Sequence, residues 1–356
     1  MIYKAKKSLG LKNEHVFVRA KKALGQNFLK SEMALRKIIE AGEIKKDDII
    51  LEIGPGRGAL TKKLLEKVYP ATAGQGFVIA VEKDYELFEF LKNKFESEIK
   101  LGSLVLVQDD ILDFDITKVG QNILERTLGS RKCAGGTFLR DDGQRKFSAE
   151  NFRGESENIL PNLKRYKIIA NIPYNITGAI LKKFLTDKHQ PESMVLMVQH
   201  EVATRILGRG SNPSTPLRVK ESILSISVKA YGAPKMIAKV DKRYFSPMPK
   251  VNSAIISIKN ISRKNFNSPL EEYSDLESEG GGPNLSTPSR QRATPQEGNF
   301  EEKFWEIVKA GFAHKRKKLS SNLKNICQRA SLTSLGNKRA EDLSLKDWIE
   351  LAKSQN

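Results

Sequence analysis

The stretch Ile49-Ile50-Leu51-Glu52-Ile53-Gly54-Pro55-Gly56-Arg57-Gly58 joins a short apolar run to three glycines at alternate positions. An apolar run of this length ending in glycine has the pattern of a buried parallel strand, and residues 58–68 continue it as a helix. Glycines at a strand-to-helix turn let the backbone approach a ligand, because no Cβ intrudes. Dinucleotide-binding turns share that feature, but two details separate this turn from them. The spacing is G-x-G-x-G rather than G-x-G-x-x-G, and an acidic residue, Glu52, precedes the first glycine. A carboxylate there would repel a pyrophosphate and would suit the ammonium of an amino-acid moiety. The turn therefore favours S-adenosylmethionine over a nicotinamide dinucleotide, with Gly54 and Gly56 as candidate cofactor contacts.

Upstream, residues 31–41 carry apolar side chains at helical spacing behind a serine cap. Downstream, residues 77–81 read as a second strand that stops at Glu82, and residues 84–98 as an amphipathic helix with Asp84 at its start. Residues 104–107 form a third strand closed by Asp109 and Asp110, and residues 166–170 a fourth, followed at once by Asn171. Residues 194–198, 223–230 and 254–258 complete the strand series. Strands alternating with helices imply an α/β fold, a doubly wound sheet with helices on both faces and right-handed crossovers. From Phe300 a helical pattern runs into the basic cluster Lys315, Arg316, Lys317 and Lys318, and EDLSLKDWIELAK is a further short helix.

In open α/β sheets ligands bind beyond the carboxyl ends of the strands. Glu82 ends the second strand, where a carboxylate can accept hydrogen bonds from both ribose hydroxyls, and Asp110 can receive the exocyclic amine of adenine. Each alone is as well explained as a solvated cap or turn; their order after successive strands is harder to explain that way. The fourth strand ends in Asn171-Ile172-Pro173-Tyr174, a tetrapeptide of the kind that marks methylation of an exocyclic amine. Such an amine shares its lone pair with the ring and attacks poorly. The Asn171 oxygen and the carbonyl of Ile172 or Pro173 can accept its two hydrogens and draw the lone pair toward a sulfonium methyl. Pro173 fixes φ and offers no competing donor, and Tyr174 can stack on the base. In Tyr244-Phe245-Ser246-Pro247-Met248-Pro249-Lys250, two prolines stiffen a loop that would hold Phe245 against the other face of an extruded base. The plainer alternative is a core phenylalanine beside a rigid turn.

The 356 residues include 61 Lys and Arg against 42 Asp and Glu, a net charge of +19. That surplus attracts polyanions, and nucleic acid is the default partner; the cluster Lys315–Lys318 is the expected phosphate contact. At about 150 residues per domain the length suggests two domains. No apolar run approaches the roughly 20 residues that span a bilayer, and the basic start MIYKAKKSLGLKNEH lacks the apolar block of a signal peptide. Two cysteines, Cys133 and Cys327, cannot build a disulfide framework or a four-ligand zinc site, and His200-Glu201 has no companion at ligand spacing, so no metal is expected. A reducing cytoplasm suits such a chain.

Ala23-Leu24-Gly25-Gln26-Asn27-Phe28-Leu29, EIGPGRG, the Glu82 strand end, Asp110, NIPYNI and FSPMPKVNS occur in one order. In that order they resemble the KsgA-type ribosomal RNA adenine N6,N6-dimethyltransferases, over residues 21–262 and again from 304 to the end. The resemblance implies a Rossmann-like class I methyltransferase sheet and a small C-terminal helical domain. It implies dimethylation, with S-adenosylmethionine, of two adjacent adenosines near the 3′ end of small-subunit ribosomal RNA in an immature subunit. It also implies that Asn27 and Leu29 touch the cofactor, Gly54 lies under it, Glu82 holds the ribose, Asp110 holds the adenine, and Asn171 sits between cofactor and target base. Asp109 stands where the family commonly has glycine, and His200 where a lysine is frequent.

The expected organisation is a basic arm over 1–22, a methyltransferase domain over 23–261 with an insertion at about 119–164, a flexible low-complexity linker over 262–300, and a helical RNA- or ribosome-contacting domain over 301–356, in a monomeric chain. Two other readings stand beside it. Erythromycin-resistance methylases share NIPYNI and the proline loop but modify large-subunit RNA, and a non-catalytic assembly factor would bind immature small subunits without transferring methyl groups.

Overall fold

The structure, a computed structural model, describes residues 19–68, 76–117, 165–208, 220–266, 299–327 and 335–355, with the backbone of 137–138 and 147–148. In chain order the elements are β1 (Phe28–Leu29), α1 (Glu32–Gly42), β2 (Ile49–Ile53), α2 (Ala59–Val68), β3 (Phe77–Glu82), α3 (Tyr85–Lys94), α4 (Glu96–Lys100), β4 (Leu104–Gln108), β5 (Thr137–Phe138) and β6 (Phe147–Ser148). They continue with β7 (Tyr166–Asn171), α5 (Thr177–Thr186), β8 (Ser193–Gln199), α6 (His200–Ile206), α7 (Ile223–Lys229), β9 (Ala233–Val240), β10 (Phe245–Ser246), β11 (Ser253–Lys259), α8 (Asn299–Gly311), α9 (Leu319–Asn322) and α10 (Leu345–Lys353).

Seven strands form one sheet in the order β4-β3-β2-β7-β8-β11-β9. The first five run parallel, and β11 is antiparallel to both β8 and β9. The sheet is therefore mixed, not parallel throughout. Alternation of side chains across the pleat divides β2 between two cores. Ile50 faces α1 and α2 with Ile38 and Leu64, whereas Leu51 and Ile53 face α5 with Ile180 and Leu181. Phe304, Ile307, Leu319 and Trp348 of the C-terminal helices belong to that second core. Tyr231 ties them to the sheet: its ring stacks on Trp305 at 6.2 Å, and its hydroxyl bonds the Glu301 carboxylate.

Three expectations are corrected. Residues 223–230 alternate apolar and polar side chains like a strand, but Ser222 and Ser225 form a reciprocal capping box that starts α7 there. The strand in this part of the chain is β9, whose Pro234 is tolerated because β9 lies at the sheet edge. The helix expected over 84–98 breaks at Phe95 into α3 and α4. The cluster Lys315, Arg316, Lys317 and Lys318 is not helical; α8 ends at Gly311 and the four exposed side chains occupy the turn before α9. Within the 119–164 segment only the antiparallel pair β5–β6 is described, and residues 1–18 and 267–298 of the expected arm and linker lie outside the described residues. No helix among the described residues is long and apolar enough to cross a membrane.

Candidate active site

The carboxyl ends of β2, β3, β4 and β7 open onto one cavity of about 430 Å3, in the size range of small-molecule sites. Its floor is the glycine turn, its walls carry Glu52, Glu82, Asp110 and Asn171, and residues 23–30 cover it. Gly56 has φ +58°, and a Cβ there would lie 3.0 Å from the Phe28 ring, so the cradle is closed to any side chain. The Arg57 guanidinium lies 4.5 Å over the same ring.

Glu52 is 1% exposed, and its Oε2 has no hydrogen-bond partner. Burial pushes its carboxyl up to about 8; Thr61 and the more distant Lys94 ammonium pull back, and Glu82 adds repulsion. Glu82 is buried too, and burial raises its pKa. Its Oε2 accepts from Gly56 N–H at 3.1 Å and its Oε1 from Asp84 N–H at 2.9 Å, which oppose the rise and fasten the glycine turn to the end of β3. Asp110 is paired with Lys83 at 2.6 Å and accepts from Leu112 N–H at 3.0 Å, which together hold its carboxyl below the usual range. Asp109 accepts from the Asp110 N–H at 2.7 Å, so the departure from glycine shapes this turn with a side-chain bond.

Asn171 closes the opposite wall. Its Nδ2 donates to the Asn27 carbonyl at 3.2 Å, which commits the nitrogen. Asn27 in turn donates its own amide to the Gly25 carbonyl at 3.1 Å. The Tyr174 hydroxyl shares a 2.5 Å hydrogen bond with Ser253 Oγ on β11, so the ring is pinned at its tip. Burial raises the Tyr174 pKa against that bond. Pro173 lines the cavity beside them.

Phe245 departs from the expected clamp. It is 2% exposed, because β10 pairs antiparallel with β1 in the register Leu29↔Phe245, and both side chains enter the core with Leu35 and Ile38. The residue is core, and Leu29, itself buried, reaches the cavity from the covering segment. The solvent-facing apolar residues of that loop are Tyr244, Met248 and Val251.

One cluster went unread in the sequence. Asp84, the N-cap of α3, has a fully buried side chain that bonds Lys21 Nζ at 2.7 Å and Gln26 Nε2 at 2.9 Å. Lys21 N–H also donates to Gln26 Oε1 at 2.7 Å. Burial works against ionisation of Asp84, but these donors and the Glu86 N–H outweigh it and hold its carboxyl low. The covering segment is thereby latched to β3, next to Glu82. The visible signal was an aspartate at a helix start; its partners lie some 60 positions earlier. Among the described residues no group of three or more His, Cys, Asp or Glu side chains is arranged to hold a metal ion.

The family model for ribosomal RNA adenine dimethylase matches residues 17–278. The chain is 32% identical to ribosomal RNA small subunit methyltransferase A of Dehalococcoides mccartyi, covering 94% of this chain and 88% of that one. It is likewise 32% identical to the protein of the same name from Francisella tularensis, covering 94% and 97%. Among solved structures, the 23S rRNA methyltransferase ErmE superposes with a TM-score of 0.55 at 20% identity over 92% of this chain and 98% of that one. A dimethyladenosine transferase from Plasmodium falciparum gives 0.50 at 22% identity over 91% and 95%. Both share the fold, and the two sequence relatives align along nearly the whole chain. A strand-tip cavity bearing NIPY, matched across most of the chain by that family model, places this protein among the ribosomal RNA adenine dimethylases.

Proposed function

We propose that the chain transfers methyl groups from S-adenosylmethionine to the N6 amines of two adjacent adenosines near the 3′ end of small-subunit ribosomal RNA, acting on immature subunits in the cytoplasm. The cavity fits that cofactor on three counts. A buried, unpartnered Glu52 oxygen awaits a cation, the positive φ of Gly54 and Gly56 lets the turn's backbone line the cavity, and the Glu82 and Asp110 carboxylates stand in the order that ribose and adenine require. Glu52 and the glycine turn would hold the amino-acid moiety, Glu82 the ribose and Asp110 the adenine, with Asn27 and Leu29 covering them. When bound, the cofactor supplies an activated methyl group on a sulfonium.

The rest of the chemistry falls to NIPY. With the Asn171 nitrogen engaged by the Asn27 carbonyl, its oxygen is left for the target amine, and this observation carries the reading. The Pro173 carbonyl accepts from Ile176 N–H at 3.4 Å, which favours the Ile172 carbonyl as the second acceptor. Two acceptors take hydrogen bonds from the amine and localise its lone pair, so orientation supplies the rate without a dedicated base, and the acidified proton left after methyl transfer passes to solvent. Tyr174, pinned by Ser253, presents its face to the base. The four exposed cations of the turn Lys315–Lys318 support a role in holding RNA phosphates.

The test is transfer of tritiated methyl groups to purified unmethylated small and large subunits, with mapping of dimethyladenosine in each RNA. Label at two neighbouring adenosines of the small-subunit RNA is expected. Label in large-subunit RNA, or binding with no label, would overturn the reading in favour of an erythromycin-resistance-type methylase or of an assembly factor.

A further inference from the structure

Beside the cavity lies a second cleft of about 320 Å3, lined by His200, Glu201, Lys242, Lys250, Val251 and Asn252. Asn252 builds it. Its side-chain oxygen accepts from Lys242 N–H at 3.0 Å, and its carbonyl accepts from His200 N–H at 2.9 Å, so one residue joins the start of α6 to the proline loop. The next residue, Ser253, holds the Tyr174 hydroxyl. The cleft is thus one residue along the chain from the contact that fixes the base-facing ring.

Its charge is unspent. Arg243, next in sequence, is neutralised by Asp241 at 3.0 Å, but neither Lys242 nor Lys250 forms an ion pair among the described residues. Two ammonium groups stand against one carboxylate of the cleft, Glu201, which is exposed, while Asp241 beside Lys242 is bonded to Arg243. Tyr244, Met248 and Val251 leave large apolar area in solvent on the same loop. Cations interleaved with exposed aromatic and apolar side chains are what a single-stranded polynucleotide meets, phosphates on the charges and bases on the flat faces.

We propose that the Lys242–Lys250 cleft binds the phosphodiester next to the target adenosine, with Tyr244 and Met248 against the neighbouring base, so that the strand is held while the adenosine enters the cavity. This rests on the methylation reading above and adds a specific docking surface to it. Lys242 and Lys250 act on RNA binding and not on the transfer step.

The experiment measures small-subunit binding as a function of salt, and single-turnover methylation, for Lys242→Gln, Lys250→Gln and Lys67→Gln. Lys67 lies at the far end of α2 from the glycine turn and serves as the control. Each cleft variant is expected to lose several-fold in subunit affinity and to flatten the slope of log K against log salt by about 1. Cofactor affinity and the saturated single-turnover rate should stay at the parent values, and Lys242→Arg should restore the slope. Unchanged slopes in both cleft variants, or an equal change in Lys67→Gln, would overturn the proposal while leaving methylation intact. A parent chain that transfers nothing to small subunits would instead remove the reading beneath it, and the cleft with it.

Discussion

Asn171 Nδ2 donates to the backbone carbonyl of Asn27 at 3.2 Å, across 144 positions of sequence. The segment covering the cavity therefore fixes which way the Asn171 amide faces. A carboxylate at this position has no hydrogen to give the Asn27 carbonyl and would set two oxygens against each other. Asn171→Asp is expected to lower kcat about tenfold, since leaving this half-buried carbonyl unmet and turning the acceptor away costs about 1–3 kcal/mol, with a smaller change in cofactor affinity. Steady-state kinetics with varied cofactor separate the two; equal activity would show that the amide orientation is immaterial.

The Asp84 latch predicts a different signature. Asp84→Ala frees Lys21 and Gln26 and releases the covering segment, so cofactor affinity should fall about tenfold while the transfer rate at saturation changes less. Asp84→Asn restores the helix cap, because asparagine caps as well as aspartate, but not the charged bond to Lys21. If the cap alone mattered, Asp84→Asn would bind cofactor like the parent. Titration calorimetry decides, and the Asp84→Ala and Gln26→Ala losses should be non-additive when combined.

Glu52 makes stability depend on pH in an unusual direction. Its carboxyl titrates near 8 in the fold, against an ordinary value of 4.5. Between those values the folded chain keeps a proton that the unfolded chain releases, so this contribution is fully present below about 4.5 and is lost as pH rises toward 8. The loss is on the order of a few kcal/mol. Thermal unfolding from pH 5 to pH 8 should show it in the parent and not in Glu52→Gln. Cofactor binding near pH 7 should release about one proton, visible as a dependence of calorimetric heat on buffer ionisation.

Gly58 is a packing constraint apart from any ligand. It has φ +73°, and a Cβ there would lie 2.5 Å from Phe95 and 2.9 Å from Leu91. Gly58→Ala should destabilise the fold by about 2–3 kcal/mol, measured by denaturant unfolding. A loss of cofactor binding with unchanged stability would run against this account.

The sequence disclosed the site wherever chemistry demanded a residue type at a strand end: Glu52, Glu82, Asp110 and Asn171 all line the cavity. It misled where local pattern and tertiary context disagree. The alternation in residues 223–230 suits a strand, yet the Ser222–Ser225 capping box turns it helical, and the true strand β9 hides behind its lysines and Pro234 as an edge. Phe245 looked like a clamp because the prolines beside it suggested a presented aromatic; pairing with Leu29 turns it inward, a matter of register that no local motif encodes. The latch was invisible because Lys21 and Asp84 are 63 positions apart.

The most direct measurement is a single-turnover assay on unmethylated small subunits with the parent chain and Asn171→Ala, alongside cofactor binding to each. The parent should place dimethyladenosine at two adjacent positions, and Asn171→Ala should retain weakened cofactor binding and lose at least a hundredfold in transfer. Full dimethylation by Asn171→Ala would contradict the claim that this side chain orients the reacting amine.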